Sequence, residues 1–71
     1  MADERRTFRA GVYDCDVEKR GGTFSMFVRD PGGHTVAIGN GATVNAAALR
    51  AAESTEDQGA RKALQTRFPE F

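Results

Sequence analysis

The chain has 71 residues, of which 39% are apolar, and its ten basic and ten acidic residues give no formal net charge. This balance excludes a strong overall field that would draw the chain to nucleic acid or to an anionic membrane. A single cysteine, Cys15, excludes an internal disulfide, and the lack of an apolar N-terminal stretch leads us to expect a cytoplasmic protein. The length predicts one domain, residues 1–71, whose small core makes association with a partner a source of stability.

Alternation of apolar and polar residues predicts the first strand. Residues 1–6 are charged and are expected to be frayed, whereas residues 7–17 alternate with period two. The inward face of this strand is expected to carry Tyr13, Cys15 and Val17. The apolar residues before Gly11 fall out of phase with those after it, and we expect a β-bulge at Gly11 to correct the phase.

Two further strands follow after turns of typical composition. Lys-Arg-Gly-Gly at residues 19–22 leads to a strand over 23–29, and Asp-Pro-Gly-Gly at residues 30–33 leads to a strand over 34–39. The residues expected to face inward are Phe24, Met26, Val28, Val36 and Ile38. Three strands joined by short turns predict an antiparallel meander with one apolar face.

After Gly39 the hydrophobic period changes to that of a helix. Thr43 is expected to cap the first helix. Its apolar stripe is expected to be Val44, Ala47, Ala48, Ala51 and Ala52. Thr55 and Gln58 have the spacing of a capping box, which favours a second, separate helix that ends before Pro69 over one long helix that continues through residues 54 and 55. The predicted fold is α+β, a three-stranded antiparallel meander followed by two C-terminal helices packed on one face.

No group of side chains predicts catalysis. Cys15 is expected in the core, beside Asp14 and Asp16, whose charges raise the pKa of a thiol. His34 follows a Gly-Gly turn and has no second soft ligand apart from the core cysteine. The glycine-rich residues 39–43 resemble a phosphate cradle but lack the lysine of a P-loop. We therefore expect no enzyme activity, no cofactor and no metal.

Two surfaces are candidates for contact with a partner protein. The outward face of the predicted sheet has a row of carboxylates beside an aromatic ring, which is typical of a solvated face but also fits a basic groove on another protein. Its residues are Asp14, Asp16, Glu18, Phe27 and Arg29. At the C-terminal end, Phe68 and Phe71 are expected to cover the sheet or the helix pair, or to anchor a homodimer.

The order of predicted elements is similar to the N-terminal domain of HicB-type antitoxins. The matching stretches are residues 13–19, 23–33 and 41–43, followed by Ala47 and Ala51. The helix departs from the family pattern at Asn45 and Ala46, where the family has glutamates. The resemblance implies a protein that neutralises a small toxin by masking it, and a sheet-plus-helix shape shared with double-stranded-RNA-binding domains.

In size, neutral charge and lack of catalytic residues, the chain also resembles small phage-encoded anti-CRISPR proteins, which occlude a nucleic-acid-binding machine. We therefore predict a non-catalytic inhibitor that binds and occludes a nucleic-acid-processing protein complex, with a HicB-like antitoxin as the first alternative. The second alternative is a nucleic-acid-binding module, which the neutral charge disfavours. Its contacts would come from Arg5, Arg6, Arg9, Lys19 and Arg20.

Overall fold

The computed structural model describes residues 4–71 as an antiparallel sheet followed by two helices. The strands are β1 (Glu4–Ala10), β2 (Tyr13–Arg20), β3 (Thr23–Arg29) and β4 (Thr35–Gly41), and the helices are α1 (Val44–Ser54) and α2 (Gln58–Leu64). The sheet order is β1-β2-β3-β4. The α+β class, the antiparallel meander and the two helices are confirmed, but the sheet has four strands where three were predicted. Within residues 4–71, neither helix is long and apolar enough to cross a membrane.

The predicted first strand is a hairpin made of β1 and β2. Gly11 has a φ of 62° and begins a two-residue loop between Ala10 and Tyr13, which pair with each other. A positive φ at the first loop residue matches the twist of the flanking strands. The predicted bulge at Gly11 is therefore wrong, because the phase changes where the chain reverses. β1 begins at Glu4, inside the segment expected to be frayed, and residues 1–3 of that segment lie outside the described residues.

The core lies between the helices and the inner face of the sheet, which is the face turned toward them. The largest fully buried side chains are Met26, Leu64, Val17, Val28, Val44 and Cys15. The inward residues predicted for β3 and the apolar stripe predicted for α1 are confirmed.

β4 turns small residues toward α1, and the predicted inward phase fails at Ile38, whereas Val36 is partly buried against the core as predicted. Ala37 is 5% exposed whereas Ile38 is 49% exposed, so the inward position predicted for Ile38 is wrong. A Cβ on Gly39 would meet the backbone of Ala47 and Ala51, 2.8 Å from the Cα of Ala51. Because α1 lies directly against β4, side-chain size decides which residues of β4 face the helix.

The helix N-termini are capped by one predicted residue and one unexpected residue. Thr43 caps α1 as predicted, since its hydroxyl accepts a hydrogen bond from a backbone N–H three residues later at 3.0 Å. α2 is capped by Asp57, which accepts from the N–H of Ala60 at 3.1 Å, so the capping box from Thr55 is wrong. Thr55 is buried, and its hydroxyl donates to the carbonyl of Val36 at 2.7 Å. The expected break between the helices is confirmed.

The segment after α2 packs on the inner face and completes the core. Phe68 is 5% exposed, and its ring centroid lies 6.1 Å from that of Phe8. The Phe71 ring lies edge-on to Phe24 at 5.4 Å. The Glu70 carboxylate accepts hydrogen bonds from the first two backbone N–H groups of α1, at 2.8 and 3.1 Å. The end of the chain thus satisfies donors that the helix leaves unpaired.

Candidate partner-binding face

The outer face of the sheet is the face turned away from the helices. It carries alternate residues of all four strands, namely Arg5, Thr7, Arg9, Asp14, Asp16, Glu18, Arg20, Thr23, Ser25, Phe27, Arg29, Ile38 and Asn40. None of these residues is buried. The five residues predicted as a contact surface therefore lie together on one face.

The strand register arranges the outer face in rows that run across the sheet. The central row is Thr7, Asp16, Phe27 and Ile38. A row on one side is Arg5, Glu18, Ser25 and Asn40. The row on the other side includes Arg9, Asp14 and Arg29. The β1 and β2 half is thus entirely polar, whereas the two apolar side chains lie on β3 and β4 among Ser25, Arg29 and Asn40.

Asp16 is held by two neighbours in the middle of the polar half. Arg29 Nη2 lies 2.7 Å from Asp16 Oδ2, and the Thr7 hydroxyl donates to Asp16 Oδ1 at 3.0 Å. The Asp16 side chain is 17% exposed, whereas that of Arg29 is 44% exposed. Both carboxylate oxygens are engaged within the chain, so the charge of Asp16 is compensated by the face itself.

The two ends of the acidic row are paired with arginines of β1. Arg5 forms an ion pair and hydrogen bond with Glu18, and this hydrogen bond raises the pKa of the Arg5 guanidinium above its ordinary value. Arg9 Nε lies 3.7 Å from Asp14 Oδ1. Each of the three carboxylates thus has an arginine partner, and Arg20 is a further arginine beside Glu18, so the outer face has no excess negative charge. From the sequence, Arg5 and Arg9 were predicted only as contacts of the nucleic-acid-binding alternative, and their pairing with the acidic row was missed because residues 7–17 were placed in one strand. The Gly-Val loop at residues 11–12 was the available signal.

Phe27 and Ile38 form a cross-strand pair on the β3 and β4 half of the outer face. Ile38 is 49% exposed, and Phe27 is half-buried. Ser25 and Asn40 stand beside them in the next row. Apolar side chains rimmed by polar groups on an open surface are typical of interaction sites. Ile38 was missed because its hydrophobicity predicted an inward position.

The other predicted contact residues do not lie on the outer face as one group. Phe68 is buried in the core and Phe71 packs on the inner face, which agrees with the predicted covering of the sheet. The predicted basic cluster is divided, because Arg5 and Arg9 lie on the outer face, whereas the Arg6 guanidinium lies 4.8 Å from the Phe71 ring centroid. Lys19 Nζ lies on the inner side, 3.9 Å from Glu4 Oε1, and Arg20 Nη2 lies 3.9 Å from Glu18 Oε1. The five basic residues therefore do not form one patch.

Cys15 is a core residue in the structure. It is completely buried, and burial, followed by the charges of Asp14 and Asp16, raises the pKa of its thiol to about 11. His34 is exposed, and its Nδ1 lies 3.6 Å from Asp30 Oδ1. Among the described residues there is no group of three or more His, Cys, Asp or Glu side chains that could hold a metal ion.

Comparison of the chain with protein-family models, with curated proteins and with solved structures gave no match. The similarity to HicB-type antitoxins therefore rests on the residue pattern alone.

Proposed function

We propose that this chain is a small non-catalytic binding protein that docks on a partner protein through the outer face of its sheet. The pair of Phe27 and Ile38 carries this proposal. A chain of 71 residues has few large apolar side chains for its core, yet Ile38 is left 49% exposed beside half-buried Phe27. Burying this pair against a partner would remove apolar surface from water, which is the main driving force of protein association.

The arginines of the outer face support a protein partner. Arg5, Arg9 and Arg29 are each ion-paired with a carboxylate, while their side chains stay 66%, 70% and 44% exposed. An arginine has five N–H donors, so each can keep its carboxylate and still donate to a partner. An apolar pair beside exposed arginines has the composition of protein interface cores and rims.

The finer function that we propose is inhibition of a nucleic-acid-processing protein complex by steric occlusion. Each of Asp14, Asp16 and Glu18 already has an arginine partner, so the face has no excess negative charge with which to imitate phosphates. The chain would act by covering a surface that the complex needs. Direct nucleic-acid binding is not supported, because the basic residues are divided between two faces and lie beside acidic groups.

Site-specific photo-crosslinking tests the docking surface. A photoreactive amino acid replaces Ile38 in one sample and Leu49, which is 55% exposed on α1, in the matched control. In lysate of the source organism, the probe at position 38 should form a protein adduct that the probe at position 49 does not. Phe27→Ala in the same chain should reduce the adduct. Equal adducts at both positions, or none at position 38, would contradict docking through the outer face.

The captured protein then decides the finer function. It is purified and its processing of nucleic acid is measured with and without the chain. A stoichiometric loss of activity supports inhibition by occlusion, whereas unchanged activity contradicts it. Capture of a small toxin, with loss of its toxicity, would favour the antitoxin alternative instead.

A further inference from the structure

The outward backbone groups at the two edges of the sheet differ in whether they have hydrogen-bond partners. At β4, the Ser54 hydroxyl donates to the carbonyl of Ile38 at 2.9 Å. The Thr55 hydroxyl donates to the carbonyl of Val36 at 2.7 Å. The end of α1 therefore covers backbone acceptors along this edge. At the opposite edge, no hydrogen bond from any of residues 4–71, apart from those of the sheet itself, reaches the backbone of β1.

The strand register identifies the backbone groups that are open at β1. Ala10 and Tyr13 close a two-residue loop, so they exchange backbone hydrogen bonds, and so does every second pair beyond them. The N–H and C=O groups of Arg5, Thr7 and Arg9 consequently point away from β2. The same alternation, carried across the sheet, turns the carbonyls of Val36 and Ile38 outward at β4, where Thr55 and Ser54 bind them.

The side chains of β1 determine which strand could pair with this open edge. The strand contains Arg5, Arg6 and Arg9 against one acid, Glu4. A second copy paired antiparallel about Thr7 would place Arg5 opposite Arg9 of the copy, and like charges in opposed positions destabilise a sheet. Arg5 and Arg9 each already pair with a carboxylate of β2, but their side chains stay 66% and 70% exposed. Carboxylates on an added strand could therefore accept the N–H donors that these ion pairs leave over.

We propose that β1 is a docking edge for an extended acidic segment of a partner protein, which adds to the sheet as a further strand. Backbone hydrogen bonds to Arg5, Thr7 and Arg9 would supply affinity, and carboxylates on one face of the added strand would supply selectivity. The backbone edge of β1 is separate from the Phe27–Ile38 pair, which lies on β3 and β4, although Arg5 and Arg9 border both surfaces. Peptide binding at the edge and the Phe27 and Ile38 variants therefore distinguish the two surfaces.

The test uses a synthetic peptide in which glutamate and threonine alternate. The control ligand is a peptide of the same length in which lysine replaces each glutamate. Binding is followed by NMR on the whole chain. We expect the glutamate peptide to slow amide hydrogen exchange at Arg5, Thr7 and Arg9, and the lysine peptide to have no such effect. Equal binding of both peptides, or protection confined to other residues, would overturn the proposal.

Two variants isolate the backbone contribution at Thr7. Thr7→Pro removes an outward-facing N–H, which an edge strand tolerates, and should weaken peptide binding by at least about tenfold. Both substitutions remove the hydrogen bond from the Thr7 hydroxyl to Asp16, but Thr7→Val keeps the backbone N–H. Thr7→Val should therefore bind the peptide like the parent. If both variants bind like the parent, the edge is not the docking site.

If Thr7→Pro does not fold, two further measurements test the same edge. The double variant Arg5→Gln and Arg9→Gln should lose at least about tenfold in affinity for the glutamate peptide, and undiminished binding would overturn the charge assignment. Sedimentation without peptide should show no self-association through β1. A dimer that Arg5→Gln and Arg9→Gln strengthens would mean that a second copy is the occupant.

Discussion

At the scale of single residues, Cys15 shows how position controls reactivity. The thiolate is the reactive form of cysteine, and the side chain here is both fully buried and held as a thiol by a pKa of about 11. We expect a thiol reagent to label the native protein slowly, at a rate limited by unfolding, and to label it at once in denaturant. Prompt labelling of the native protein would contradict the position of Cys15 on the inner face.

The raised pKa of Cys15 also affects stability in alkaline solution. The unfolded thiol ionises near 9.0, whereas the folded thiol keeps its proton to about 11. Between these values the unfolded state binds fewer protons, so the free energy of unfolding falls as pH rises, by up to about 1.4 kcal/mol per pH unit. Urea denaturation across this range should show a steeper fall for the parent than for Cys15→Ala. Parallel pH profiles would contradict the pKa shift.

At the scale of elements, the contact between α1 and β4 depends on Gly39. Gly39→Ala should lower the free energy of unfolding by about 3 kcal/mol or more, because the added Cβ meets helix backbone that cannot rotate away. Gly22→Ala is the matched control, since its Cβ would have no atom within 4 Å and its effect should stay within about 0.5 kcal/mol. Chemical denaturation measures both variants. Equal effects would mean that α1 does not lie directly on β4.

The attachment of the C-terminal segment to α1 gives a second pH-dependent test. The backbone N–H of Val44 donates to Glu70 and is the main cause that lowers the pKa of this carboxyl below its ordinary value of 4.5. The ionised Glu70 carboxylate stabilises the folded state at pH values above the pKa of this group in the unfolded chain. This stabilisation is lost as pH falls through the lower pKa of Glu70 in the folded state.

We therefore expect Glu70→Gln to lower the midpoint of thermal unfolding at neutral pH, and the difference from the parent to shrink in acid below about pH 4.5. Glu56→Gln, at an exposed position between the helices, is the control and should change the midpoint little at either pH. A difference for Glu70→Gln that does not vary with pH would contradict the capping role.

The elements that could be predicted are those with local signals. Alternation placed Met26 and Val28 inward, and a threonine before an alanine-rich stretch placed the cap of α1. β1 was not separated from β2, because a bulge and a two-residue loop both change the phase at Gly11, and only the pairing partner distinguishes them. The inward position predicted for Ile38 is wrong because hydrophobicity alone does not indicate how closely α1 approaches β4.

The candidate site was also predicted only in part, because only its local pattern is visible in the sequence. Asp16 and Phe27 were placed on the outer face because strand alternation is local. The partners Arg5 and Arg9 belong to a strand that the sequence pattern did not resolve, so the row of carboxylates was predicted without its neutralising charges. The sequence also left the role of Phe68 open between the core and a dimer contact, and it did not predict the hydrogen bonds of Glu70 to α1. Both residues contact parts of the chain that are distant in sequence, so no local pattern indicates these contacts.

At the scale of the whole molecule, the helices cover only one side of the sheet. The inner face holds the core, and the outer face combines balanced ion pairs with the apolar pair of Phe27 and Ile38. Because every carboxylate of the outer face is paired with an arginine and the chain has no formal net charge, long-range steering should contribute little to the rate of association. The affinity for a partner should then depend mainly on the apolar anchor and on the rate of dissociation.

The most direct test of outer-face docking is the dissociation constant for the captured partner, measured for the double variant Phe27→Ala and Ile38→Ala. Docking through this face requires at least about tenfold weaker binding, or about 1.4 kcal/mol, chiefly through faster dissociation. Leu49→Ala removes a similarly exposed side chain from α1 and should bind like the parent. If the folded double variant binds as tightly as the parent, the outer face is not the docking surface.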